Sequence, residues 1–301
     1  MLSGSTTTSS AIDLSRLPPP DVIETLDFES ILAAMLADLQ TRWSDFDALT
    51  ESDPAMKILQ VAAYRELLLR QRVNEACRAV MLAYAGGGDL DQLAALVGVQ
   101  RLEITPADEQ AGTPAVMEAD DDLRERVVLA PDSFSVAGPT LAYVFHARSA
   151  HPDVLDATVQ SPEPGEVVVT ILSRQDTGEP EPEVIDAVEN RVNSRSVRPL
   201  TDLVSVLPAT IVEFLIKARI YLFDGPDPTV VIEAAQASAQ AYVARSRKLG
   251  RDINLSAISA ALFVEGVQRV ELVSPVADLV MGMSEAGHCT GIELEFAGNA
   301  D

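Results

Sequence analysis

The chain has 301 residues and carries 46 acidic against 22 basic side chains, a formal charge of −24 that repels phosphate backbones and anionic membrane surfaces. Nucleic-acid and membrane partners are therefore disfavoured, and no apolar run approaches the roughly 20 residues a spanning helix needs. A hydrophobic content of 47% supports sizeable cores rather than disorder. The first residues, MLSGSTTTSSAIDLSRLPPP, lack the basic start and apolar stretch of a secretory signal, which predicts synthesis in the cytoplasm.

Residues 1–20 are small and polar and end in three prolines, predicting an extended arm. Residues 21–43 then place Phe28, Ile31, Leu32, Met35, Leu36 and Leu39 at amphipathic helical spacing. Residues 56–84 contain neither glycine nor proline, predicting a helix of roughly 40 Å at about 1.5 Å per residue. Its apolar groups occupy more than one stripe. Ile58, Ala62, Leu69, Val73, Ala76 and Val80 form one, and Leu59, Ala63, Leu67 and Met81 form its neighbour. Leu68 keeps company with Arg65, Arg72 and Glu75 on a third. One stripe suffices to pack a helix on its own domain, so the segment reads either as a core hairpin or as a surface that holds another chain. Gly86, Gly87 and Gly88 predict the helix stop, and Asp89 or Asp91 the cap of a second helix carrying Leu90, Leu93, Ala94, Leu96 and Val97.

Residues 103–132 are rich in acids, proline and threonine and read as a boundary, with a strand at 126–130 and a solvated acidic turn at 120–122. Beyond it the pattern predicts a helix at 139–149, strands at 154–160 and 166–173, and a helix at 182–194. A strand at 213–223, helices at 229–247 and 255–264, and strands at 267–273 and 291–296 complete the chain. The predicted class is α+β: an N-terminal helical bundle region followed by two small α+β domains in tandem. The expected divisions are 1–20 for the arm, 21–105 for the helices, and 106–208 and 209–301 for the two domains. DVLDATVQSP at 153–162 matches GVQRVELVSP at 266–275 weakly, and chance and duplication both account for it.

Chemistry is sparse. Three histidines occur; His146 and His151 find no partner in the pattern, and the adjacent His288 and Cys289 lack the further ligands a zinc site needs. The glycine run has no Lys-Ser/Thr, the acidic triplet no alternating calcium ligands, and Glu181 with Glu183 no apolar pocket. Catalytic, cofactor-binding and metal residues are accordingly none, and Cys77 and Cys289 read as reduced thiols. Two basic patches, Arg191, Arg195 and Arg198, and Arg245, Arg247, Lys248 and Arg251, suit carboxylate docking in so acidic a chain. Lys248 equally suits the end of a helix dipole.

Several long segments carry a resemblance. AYRELLLRQRVNEACRAVMLAYA followed by GGDLDQLAALVGVQRL, then VRPLTDLVSV at 197–206, YLFDGPDPTVV at 221–231 and LGRDINLSAISAALFVEGVQRVELVSP at 249–275, resemble in order the baseplate assembly protein J family of phages with contractile tails. The resemblance implies a structural protein, not an enzyme and without cofactors, that builds the wedges and inner ring of a baseplate in a phage or tail-like particle and relays rearrangement during contraction. It implies as partners a second copy, a smaller wedge protein, neighbouring wedges, the hub and sheath-proximal baseplate proteins. It places the protein in the virion tail after assembly in the bacterial host cytoplasm. On this reading Tyr64, Arg65, Leu68, Arg72, Asn74 and Glu75 line a helix bundle, Gly88, Asp89 and Asp91 fix its turn, and Arg245, Arg247, Lys248 and Arg251 form a second contact. The competing readings are a cytoplasmic assembly scaffold absent from the mature particle and an uncharacterised hydrolase.

Overall fold

Asp27 accepts a hydrogen bond from the Ser30 amide (2.8 Å) and so opens α1, Phe28–Arg42, inside the first amphipathic stretch. Asp53 does the same for Ala55 (2.7 Å), and Pro54 pre-sets the backbone of the first turn of α2, Pro54–Ala79. The computed structural model in which these elements appear describes residues 14, 17, 18, 20–46, 50, 52–225 and 227–299. Most of the expected arm lies outside the described residues.

Among the described residues two compact units are present: one runs up to Arg101 and includes Ala119–Arg124, and the other comprises Leu102–Glu118 and the residues from Glu125 onward. In the helical unit α1 packs along α2, and α3, Gly87–Ala95, buries Leu90 and Ala94. The glycine stop is a correction. α2 ends at Ala79, before the glycines, and residues 80–84 form turns. The Arg124 guanidinium donates to the carbonyls of Leu82 and Ala85 (2.8 Å each), fixing that turn in place of further helix. Gly86 instead caps the start of α3 without a side chain, and neither Asp89 nor Asp91 is the cap. The carboxylate that serves the start of α3 belongs to Asp120, which accepts from the Gly87 amide (3.1 and 3.2 Å). A Cβ on Gly86 would stand 2.8 Å from Asp120 Oδ2, which is why no side chain fits there.

The predicted strand at 126–130 is also corrected, because α4 runs Asp120–Leu129. The acidic triplet read as a solvated turn occupies its first turn, where the exposed amides and the helix dipole favour negative charge.

In the second unit β1, Glu103–Thr105, pairs antiparallel with β2, Val116–Met117. A first sheet follows from α5 (Thr140–Arg148), β3 (Val154–Gln160), β4 (Glu166–Ser173), α6 (Pro182–Val192) and β5 (Leu203–Pro208), in strand order β3-β4-β5. Val167, Val169 and Ile171 of β4 face Val184, Val188 and Val192 of α6, the latter spaced by four as one helix face requires. A second sheet, β7-β6-β8, comes from β6 (Thr210–Leu222), α7 (Pro228–Ser246), α8 (Leu255–Leu262), β7 (Val267–Ser274) and β8 (Glu285–Asn299). Alternate residues Phe214, Ile216, Ala218, Ile220 and Leu222 of β6 bury against Val231, Ala235 and Ala239 of α7 and Ile258 and Leu262 of α8. The opposite face is polar: Lys217 pairs with Glu293 (2.7 Å), and the Arg269 guanidinium stacks 4.0 Å over the Tyr221 ring.

Both sheets share one plan, a central strand with an antiparallel edge on one side and a parallel edge on the other. The two similar decapeptides fall on equivalent strands, β3 and β7, each entered from a helix. Chain order differs, since β3 precedes its central strand whereas β7 follows its own. The architecture is of the predicted α+β class, with an all-helical beginning.

Ile216 is fully buried and Lys217 beside it is exposed. Ile216→Ala is expected to cost about 2–5 kcal/mol in urea unfolding of the purified chain, and Lys217→Ala to leave the unfolding midpoint close to the native one.

Candidate interaction surface

Of the 26 residues of α2, Met56, Ala63 and Asn74 are buried. They lie seven and eleven residues apart and therefore on one side, with Leu59 and Leu67 half-buried beside them. The remaining circumference is bare. Ile58, Ala62, Leu69, Val73, Ala76 and Val80, the first stripe read from the sequence, are all exposed, Ile58 by 71% and Leu69 by 68%. Val61 and Tyr64 extend this apolar surface and help line an open groove of about 510 Å³ with Phe28, Lys57, Gln60 and Arg65. Each such side chain removed from water contributes roughly 1.5–3 kcal/mol, so the helix carries a large uncollected stabilisation.

Charge marks the same face. Arg65 and Arg72 are exposed beside the stripe, and Arg72 reaches only a 3.8 Å pairing with Glu75. Arg70, on the packed side, is held by Glu66 (2.6 Å) and Glu24 (3.2 Å). Tyr64, Arg65, Leu68, Arg72 and Glu75 thus share the exposed side, as a docking surface requires.

Asn74 does not belong with them. It is buried, its carboxamide oxygen accepting from the Glu24 amide (3.1 Å) and its nitrogen donating to the Glu24 carbonyl (2.8 Å). Spending both groups on one residue's backbone, it clasps the segment before α1 to α2, and its expected place in an intermolecular face is corrected. At the turn, Gly88 and Asp89 are exposed, whereas Asp91 is held by Arg101 (2.8 Å), which also takes Asp120 (2.7 Å). The Gly87 amide, and then Arg101, hold the Asp120 carboxyl below its ordinary value, more than offsetting its partial desolvation.

The second expected contact, the basic end of α7, is also corrected in part. Arg245 and Arg251 are exposed. Arg247 turns inward, donating to the carbonyls of Gln175 (3.0 Å) and Asp176 (2.8 Å) in the loop after β4. That loop is drawn tight, with Asp176 at φ 43° and a Cβ on Gly178 due to fall 2.7 Å from Leu172 Cδ1. Lys248 pairs with Glu125, which also receives Arg148 (2.9 Å). The Leu249 amide donates to Asp156 (3.0 Å), and the Thr158 hydroxyl to the Met283 carbonyl (2.7 Å). Residues 247–249 therefore lock the two sheets together. Sequence reasoning missed this because the partners are mostly backbone carbonyls more than seventy residues away.

Several other titratable groups are packed. Burial, then Arg191, pushes the His146 imidazole below its ordinary value. Burial and the Asp202 carboxylate hold the Tyr143 phenol well above its own, its hydroxyl donating to Asp202 (2.9 Å). His151 accepts from the Asp153 amide (3.2 Å), and Cys77 and Cys289 are free thiols. Among the described residues no three His, Cys, Asp or Glu side chains are grouped to hold a metal.

The most distinctive exposed surface among the described residues is one face of a long helix. The chain belongs to the baseplate J-like family: the family's N-terminal domain matches residues 51–108, its central domain 135–208 and its C-terminal domain 214–295. It is 48% identical over 297 residues to baseplate protein J of Escherichia phage P2, covering 96% of this chain and 98% of that protein. It is also similar to a chain in the cryo-EM structure of the anti-feeding prophage baseplate, with a TM-score of 0.40 and 15% identity, over 61% of this chain and 43% of that one. The resemblance read from the segments of the sequence is a family membership, and the chain has a structural role in a baseplate.

Two outcomes follow for the internal contacts. Asn74→Ala is expected to lower stability by about 1–3 kcal/mol in denaturant melts, since it leaves the Glu24 backbone groups unpaired. Desolvation alone would raise the Glu125 carboxyl, but Arg148 and Lys248 outweigh it and hold it below its ordinary 4.5. A lowered carboxyl contributes stability that is complete above the unfolded value and lost as pH falls through the folded one. The stability gap between the native chain and Glu125→Gln should thus be widest near neutral pH and close on acidification below about 4.5, read by urea unfolding from neutral to acid; a constant gap contradicts the ion-pair account.

Proposed function

We propose that this protein is a wedge component of a contractile-tail baseplate, built into the inner ring and moving with it when the tail contracts. The observation that carries this reading is the bare stripe of α2, a surface that a single chain leaves uncovered. In a helix bundle, the stripe packs against a second copy of the chain and a smaller wedge protein, while Arg65 and Arg72 meet carboxylates. Gly88, Asp89 and the Asp91–Arg101 pair hold the turn beyond the bundle. Neighbouring wedges, the hub and sheath-proximal proteins take the remaining surfaces, Arg245 and Arg251 among them. The protein works in the virion tail after assembly in the bacterial host cytoplasm, and it binds rather than catalyses. In this reading residues 1–20 are the arm, 21–105 the helical wedge domain, and 106–208 and 209–301 the two α+β domains. Helices joined to rigid sheet domains suit rigid-body rearrangement.

Arg72→Glu and Leu69→Asp change exposed residues and should leave the isolated chain folded, with stability within about 0.5 kcal/mol of the native. Co-purification with a second, differently tagged copy and with the other wedge proteins should fall sharply for both variants. Full co-purification at native yield overturns the assignment of α2 to the bundle, and absence of the protein from purified particles favours the scaffold reading.

A further inference from the structure

The junction between the two sheets holds two opposite charges that each keep a buried atom unpaired. Asp153, in the turn before β3, is 6% exposed. Its Oδ2 accepts from the Ser173 hydroxyl (2.6 Å), its amide donates to His151 Nδ1 (3.2 Å) and its carbonyl accepts from the Arg174 amide (2.8 Å). Its Oδ1 is shut off from solvent and receives no hydrogen bond from the described residues. Arg247, just past α7, spends Nη2 on the carbonyls of Ser173 (3.4 Å), Gln175 (3.0 Å) and Asp176 (2.8 Å). Its Nε–H, equally shut off, finds no acceptor among the described residues.

Ser173 brings the two charges together, with its hydroxyl on the Asp153 carboxylate and its carbonyl under the Arg247 guanidinium. Burial lowers the Arg247 guanidinium, and Asp153 is the first of the carboxylates that oppose this. Each charge thus feels the other, without a direct hydrogen bond from Nε to Oδ1. Ser246, the last residue of α7, adds a third such atom: it is 2% exposed, and its hydroxyl oxygen is unpartnered among the described residues.

Buried polar atoms are paired with protein or with ordered water in nearly every folded chain, so these atoms define their own ligand. It must accept from Nε, since a guanidinium only donates, and give a hydrogen bond to Oδ1, since a carboxylate only accepts. A metal cation meets the second demand and is repelled by the guanidinium; an inorganic anion meets the first and is repelled by the carboxylate. Water meets both. We propose that one water molecule is built into this junction, accepting from Arg247 Nε, donating to Asp153 Oδ1 and taking the Ser246 hydroxyl as a further partner. It ties the end of α7, which covers the second sheet, to the turn that opens β3 of the first, so the lock at residues 247–249 includes trapped solvent. A water held by several polar groups away from bulk solvent is part of the fold. The inference makes no use of α2 and stands apart from the assembly reading above.

A crystal structure of the full native chain, at a resolution that shows ordered water, tests it. A single peak with the coordination of water is expected about 2.7–3.2 Å from both Arg247 Nε and Asp153 Oδ1. In solution, the Arg247 Nε–H resonance of arginine-labelled chain, assigned by its loss in Arg247→Lys, should show cross-relaxation with water of the sign that a long-lived bound molecule gives. Asp153→Leu, similar in size but without acceptor oxygens, should abolish that signal; if this variant folds poorly, the native crystal and the native spectrum still decide. A direct contact from Nε to Oδ1, an empty site, a metal ion or chloride at this position, or an Arg247 resonance with no water contact each overturn the inference.

Discussion

The constraint on which the rest depends is the exposed apolar stripe of α2, Ile58 to Val80. A helix of 26 residues that buries three of them has most of its apolar surface still in water, and in a folded chain that surface is a statement about partners. What its own chain supplies is α1, whose preceding segment is tied to one side by the Asn74 clasp and by the Arg70–Glu24 pair. The other side keeps its apolar row and two arginines, in a protein otherwise strongly acidic.

The second unit shows the opposite economy. Its two sheets are each covered by helices on one face, and they are joined by Arg247 on backbone carbonyls, by Lys248 and Arg148 on Glu125, and by the Leu249 amide on Asp156. Directional contacts from several strands and loops leave little freedom at that junction, so the two sheets serve as a single rigid body.

Much of this was legible in the chain. β3 and β4 fall on their predicted spans because Ala157 and Val159, and then Val167, Val169 and Ile171, alternate inward between clear turn residues, with Val154 set off by an irregularity at the start of β3. β5 was not legible: its outward Leu203 and Leu207 are as apolar as its inward Val204 and Val206, which erases the alternation that marks a strand. The end of α2 was misplaced because the glycines were read as a stop, whereas the Arg124 guanidinium and the Asp120 carboxylate, both distant in sequence, fix the turn and the next helix start. Tyr64, Arg65, Leu68, Arg72 and Glu75 lie exposed along one side of α2, as their helical spacing indicates. Asn74 and Arg247 were misread because hydrogen bonds to remote backbone groups leave no periodic signal.

The most direct measurement is hydroxyl-radical footprinting of α2 in the free chain and in purified tail particles. The account predicts that Ile58, Leu69 and Val73 label readily in the free chain and are strongly protected in particles, while Met56 on the packed side is protected in both. Equal labelling of Ile58, Leu69 and Val73 in the two samples contradicts it.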